Sequence, residues 1–91
     1  MSHTIQQKSK LLARVRRIRG QVEGLERALE TDQGCADVLH QIAAIRGAMG
    51  GLMAEVVEGQ VLFHVAASEL TPQQRSAGAA ELIAVIRSYI K

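Results

Sequence analysis

The chain has no tryptophan, one phenylalanine, one tyrosine and a single cysteine in 91 residues. Each shortage closes off a class of proteins. So few aromatic rings argue against single-strand binding by base stacking. They also leave Leu, Ile, Val, Met and Ala to supply the core that a 47% apolar composition implies. One cysteine rules out an internal disulfide and a two-cysteine, two-histidine zinc finger, and it fits a reducing cytoplasm. No run approaches the ~18 consecutive apolar residues of a membrane span, so no membrane partner is expected. The polar, basic first stretch lacks the hydrophobic segment and cleavage site of a secretory signal. Also missing are a glycine-rich phosphate loop, a carboxylate pair set for acid–base work and a Ser-His-Asp arrangement. Nothing points to an enzyme, and an aldehyde-processing activity is the weakest of the alternatives.

Acid is absent from the first 20 positions, and that absence sets off what is there. Lys8, Lys10, Arg14, Arg16, Arg17 and Arg19 are six of the eleven basic residues. The net charge of +2 understates this asymmetry. Such a block calls for an anionic partner, most often nucleic acid; the bland alternative is a solvated helix face. At this length the chain reads as one domain over residues 1–91, near the lower limit for a self-sufficient core, so self-association is expected to complete it.

Hydrophobic spacing predicts three helices and no strand. Leu11, Val15, Ile18, Val22, Leu25 and Leu29 alternate spacings of four and three, one apolar stripe of a helix over about residues 5–30. Asp32, in the break Thr31-Asp32-Gln33-Gly34, is a candidate N-cap for the next helix, which is predicted to run to about residue 66. That helix carries two adjacent stripes. Cys35, Val38, Ile42, Ile45, Met49, Leu52, Val56, Gly59 and Phe63 form one; Leu39, Ala43, Arg46, Gly50, Met53, Val57, Gln60 and His64 form the other. Two stripes make a face wider than one partner helix covers, and three-four spacing favours shallow coiled-coil-like crossing. Gly47, Gly50 and Gly51 cluster at its midpoint, where two backbones could approach across a two-fold axis; a kink or a tolerated weak spot is the alternative. Thr71-Pro72-Gln73-Gln74 is a helix start with Thr as N-cap, Pro at the first position and Gln closing a capping box. Leu82, Ile83, Val85, Ile86, Tyr89 and Ile90 line the third helix.

Cys35 and His64 are the residues with chemistry to offer. In the first turn of its helix, Cys35 meets the positive end of the helix dipole, which favours thiolate over thiol. A thiolate binds soft or borderline metals or attacks an electrophile; a buried small hydrophobe is the plain alternative. His64 lies one turn after Gln60 on the same face. A helix separates Cys35 from His64 by 29 residues, roughly 43 Å at ~1.5 Å per residue, so the two share a site only if a second copy runs antiparallel. At the amino end, the Ser2 amine exposed by loss of Met1 and the His3 imidazole could chelate a divalent ion such as nickel, cobalt or copper. His40 is assigned to surface or packing.

The run Arg14-Val15-Arg16-Arg17-Ile18-Arg19-Gly20-Gln21-Val22, then Cys35, then Gln41-Ile42-Ala43-Ala44-Ile45-Arg46-Gly47 and Gly51-Leu52-Met53-Ala54-Glu55-Val56, closely resembles the CsoR/RcnR/FrmR family of small all-helical bacterial transcriptional repressors. The resemblance covers nearly the whole chain. It implies an all-α three-helix protomer, an antiparallel dimer through the second helix and a dimer-of-dimers tetramer. It implies binding to double-stranded operator DNA without a helix-turn-helix, and release when an inducer occupies a site at Cys35. Lys10, Arg14, Arg17, Arg19 and Arg46 are the expected DNA contacts. The opening and the Cys35/His64 pair look like the nickel and cobalt branch, with the amino terminus, His3, Cys35 and His64 as ligands. The body looks more like the formaldehyde branch, in which the amino terminus and the cysteine are joined by a methylene bridge; Ser2, Cys35, Gln60 and His64 are then the inducer-sensing set. Two positions depart from these patterns. Gln60 stands where the family usually has histidine, and an amide oxygen is a poor ligand for nickel. Ser2 stands where the formaldehyde branch begins with proline. Nickel or cobalt and formaldehyde both remain open as inducer. The reading from another class is a metal-binding helical oligomer that recognises no operator.

Overall fold

The computed structural model describes residues 3–89, the side chains of His3 and Gln6 excepted. The described residues form helices and turns with no strand: α1 (His3–Gln6), α2 (Lys8–Glu30), α3 (Cys35–His64) and α4 (Pro72–Tyr89). The first predicted helix is divided at Gln7, whose carbonyl accepts from the Leu11 amide at 3.0 Å and so starts α2. The second ends at His64 rather than residue 66. There the Val65 and Ala66 amides both turn back to the Val61 carbonyl, at 3.2 and 2.7 Å, and the regular ladder stops.

Two compact units share this chain: residues 7–53, and the described residues from Ala54 onward together with α1. In the first unit the α2 stripe splits. Leu11 and Ile18 are buried, and Leu25 follows them half-buried; Val15, Val22 and Leu29 remain 45%, 47% and 59% exposed. Residues seven apart thus form two lines, and only one is used within the unit. The same holds along α3, where Leu39, Ile42, Met49 and Met53 are exposed.

The link between α2 and α3 corrects the expected role of Asp32. Its φ of 54° is the only left-handed value among the described non-glycine residues. The Gln33 amide donates to the Ala28 carbonyl at 3.0 Å and the Asp32 amide to the Leu29 carbonyl at 3.4 Å. These are the paired bonds of a Schellman ending. Asp32 therefore closes α2 instead of capping α3; aspartate suits either task, because its short polar side chain tolerates the left-handed region. The residue that opens α3 is Gly34, whose carbonyl accepts from Val38 at 3.1 Å.

In the second unit the start of α4 matches its sequence signal. The Gln74 amide donates to Thr71 Oγ1 at 3.1 Å and the Thr71 amide to Gln74 Oε1 at 2.9 Å. Arg75 lies across the preceding turn, its guanidinium donating to the Val65 carbonyl at 2.6 Å and the Leu70 carbonyl at 3.4 Å. These bonds satisfy carbonyls at and beyond the end of α3 that the helix itself cannot pair.

Candidate inducer and DNA-binding residues

Cys35 is the first residue of α3, reduced and exposed. A sulfur at that position faces solvent among the unpaired amides of a helix start. Within the protomer it does not fill a core.

His64 is the last residue of α3 and half-buried. What shapes its surroundings is Gly78 on α4. A Cβ built there would collide with the His64 carbonyl oxygen and lie 2.7 Å from the carbonyl carbon and 3.0 Å from the His64 Cβ. Only glycine permits so close an approach. His64, Phe63, Leu70, Gln74, Ala77 and Glu81 line an adjoining cavity of about 260 Å³.

Gln60 completes this junction. Its Nε2 donates to the Gly78 carbonyl at 3.0 Å and to Glu81 Oε2 at 3.2 Å. Both amide hydrogens are thereby committed to α4, so Gln60 acts as a tie between helices. Gly78 and Glu81 escaped sequence reasoning. The small-residue run Ala77-Gly78-Ala79-Ala80 is the signal that could have flagged a close crossing; the Glu81 bond has no local signature. Ser2, and the side chain of His3, lie outside the described residues. Among the described residues no group of three His, Cys, Asp or Glu side chains is placed to hold a metal ion.

The expected DNA contacts all fall in the unit of residues 7–53. Lys10, Arg17, Arg19 and Arg46 are exposed, and Arg14 is half-buried. Arg19 sits 3.9 Å from Glu23, with side chains 70% and 58% exposed. Water screens a pair that open to little effect, so Arg19 keeps its charge available. No helix among the described residues is long and apolar enough to cross a membrane.

Residues 7–88 match the family described as metal-sensitive transcriptional repressor. The chain belongs to that family. Its members are regulators of transcription and not enzymes. Among curated repressors of this kind, RcnR of Citrobacter koseri is 45% identical over the whole of both chains. An uncharacterized protein in the bioA 5′ region of Serratia marcescens is 59% identical, again end to end. A solved structure of the formaldehyde-responsive regulator FrmR, as a glutamate-to-histidine variant from Salmonella enterica serovar Typhimurium, superimposes with a TM-score of 0.85 at 50% identity. It covers 93% of this chain and 96% of that one. The all-α fold and the repressor class expected from the sequence both stand on these matches.

Proposed function

We propose that this repressor acts in the cytoplasm as an antiparallel α3 dimer, paired again into a tetramer, and that formaldehyde captured at Cys35 releases it from operator DNA. The observation that carries the assembly is the line of apolar residues each protomer leaves uncovered. Val15, Val22 and Leu29 on α2, with Leu39, Ile42, Met49 and Met53 on α3, are 38–59% exposed. Water penalises such surface by about 25 cal/mol per Å², and a second copy of the same stripes would cover it. Antiparallel pairing about Met49 and Gly50 brings Cys35 of one protomer to the partner's His64. Four copies carry 4 × (+2) = +8 net, with Lys10, Arg14, Arg17, Arg19 and Arg46 directed at phosphates and groove edges. Arginine forks hold phosphate or guanine through two parallel bonds.

The donor set favours the aldehyde. Gln60 spends its amide on α4, which leaves a metal without the nitrogen the family's usual histidine supplies at position 60. Formaldehyde asks less: an amine adds to its carbonyl, water leaves, and the Cys35 thiolate closes an N–CH2–S bridge. The Ser2 amine is the partner in this reading. The bridge draws the amino terminus toward Cys35, and DNA affinity falls because the bridged state is one that DNA does not select. A second reading, nickel or cobalt at the amino terminus, His3, Cys35 and His64, is favoured by His64 beside the Glu81 carboxylate in one cavity.

A gel shift on the DNA upstream of the gene tests both. Formaldehyde should free the wild-type protein and leave Cys35→Ala bound. Equal release of the two ends the proposal. Mass spectrometry should find the amino-terminal and Cys35 peptides joined with a gain of about 12 Da, one carbon after loss of water. An unchanged mass with tight nickel or cobalt binding selects the metal. A mixed population of monomers in sedimentation at micromolar concentration ends the tetramer.

A further inference from the structure

Glycine inside a helix costs backbone entropy, and α3 carries three near its middle. A Cβ at Gly47 or Gly50 would meet nothing within 4 Å in the protomer. Gly51 differs: a Cβ there would lie 3.1 Å from Nη1 of Arg14. Both residues belong to the unit of residues 7–53, so this is the α2–α3 crossing within one protomer. Arg14 differs from its neighbours in turn. Arg16, Arg17 and Arg19 are exposed on the same helix, whereas Arg14 is half-buried. Its Nη1 ends where a side chain at position 51 would begin.

We propose that Gly51 is a positioning residue for Arg14: the missing side chain is the seat that fixes the Arg14 guanidinium in the direction from which it meets DNA. The inference rests on the DNA role given to Arg14 above. The physical reason is preorganisation. A free arginine must give up rotamer freedom when it grips phosphate or a base edge. One whose fork is confined to the space that Gly51 leaves open gives up less. A methyl group at position 51 displaces the fork by a few tenths of an ångström. Nη1 is the far end of a flexible side chain, so the guanidinium gives way while the helices stay in place. Gly51→Ala therefore separates stability from function: it adds a better helix former and removes the seat.

The test is a double-mutant cycle read by fluorescence anisotropy on a mixed-sequence duplex at low salt, with thermal unfolding in parallel. Gly51→Ala should unfold no earlier than wild type and bind DNA about five- to tenfold more weakly. Arg14→Ala should weaken binding at least as much and lower the salt slope of log K by about one. Adding Gly51→Ala to Arg14→Ala should then cost nothing more. Arg14→Lys, which keeps the charge without the fork, should be equally indifferent to Gly51→Ala. Further loss of affinity in either background overturns the seat, as does lowered helix content or disrupted assembly in Gly51→Ala alone. Normal affinity in Gly51→Ala beside a weakened Arg14→Ala defeats only the seat. Normal affinity in Arg14→Ala defeats the DNA role of Arg14 itself.

Discussion

The two units of this chain are held together by different means. In residues 7–53 the buried side chains are Leu11, Ile18 and Ala28, an apolar seam along α2. In the unit from Ala54 onward the buried residues of α3 and α4 are the glycines Gly59 and Gly78. There backbone approaches backbone, and polar side chains tie the elements: Gln60 to Gly78 and Glu81, Arg75 to Val65 and Leu70, Thr71 to Gln74. Cys35 and the basic residues of α2 belong to the apolar seam's unit, whereas Gln60 and His64 belong to the unit tied by hydrogen bonds.

The contrast breaks most severely at Gly78. Gly78→Ala drives a methyl group into the His64 carbonyl, and neither backbone can yield without separating α3 from α4. The expected cost is about 3 kcal/mol, the upper part of the usual overpacking range. Denaturant unfolding at a fixed protomer concentration measures it. A loss below about 1 kcal/mol, the low end of that range, would mean the close approach is not rigid. The apolar seam is tested by Ile18→Ala, which should lose about 2–3 kcal/mol for deleted methylenes and the space they leave. Removing Arg75, in Arg75→Ala, abandons two carbonyls beyond the end of α3 and should cost about 2 kcal/mol, since bonds from a charged donor are the stronger kind. Arg75→Lys, with no fork to span both carbonyls, should restore at most half. Thr71→Ala should cost about 1 kcal/mol as a lost N-cap. The same unfolding measurement ranks all four. Equal losses for Ile18→Ala and Thr71→Ala would erase the distinction between seam and ties.

The sequence carried the helices well because three-four spacing and a capping box are local signals. Leu11 to Leu29 announced α2, and Thr71-Pro72-Gln73-Gln74 announced α4 with its bonds. Which half of the α2 stripe turns inward was not legible. Val15 and Val22 are as apolar as Leu11 and Ile18, and only the crossing with α3 decides between the lines. Of the candidate site, the placing of Cys35 at a helix start was legible, since a break precedes it. The engagement of Gln60 was not. Its partners lie 18 and 21 residues away, and glutamine at position 60 reads in sequence as a lost ligand when it also gains a structural task. The neighbour of Gly51 within the protomer was not legible either: Arg14 lies 37 positions earlier on another helix, and no local signal joins the two.

Asp32 gives the smallest effect and, of these five positions, the one gain in stability. Its φ of 54° places an L side chain where Cβ crowds the following carbonyl, a strain of roughly 1–2 kcal/mol for most residues and less for aspartate. Glycine adopts that backbone freely but is more disordered in the unfolded chain. The two effects oppose, so Asp32→Gly should stabilise by no more than about 0.5–1 kcal/mol. Asp32→Asn, which also tolerates the left-handed region, should change little, and Asp32→Val should destabilise, since a β-branched residue there is a genuine outlier. Had Asp32 been the N-cap of α3, the order would differ. Glycine would then give no gain and asparagine would remain equivalent. A rise in unfolding midpoint for Asp32→Gly thus supports the left-handed closure of α2, and a fall overturns it. Because the change leaves the Ile18 seam and the Gly78 junction untouched, it should also leave DNA affinity unaltered.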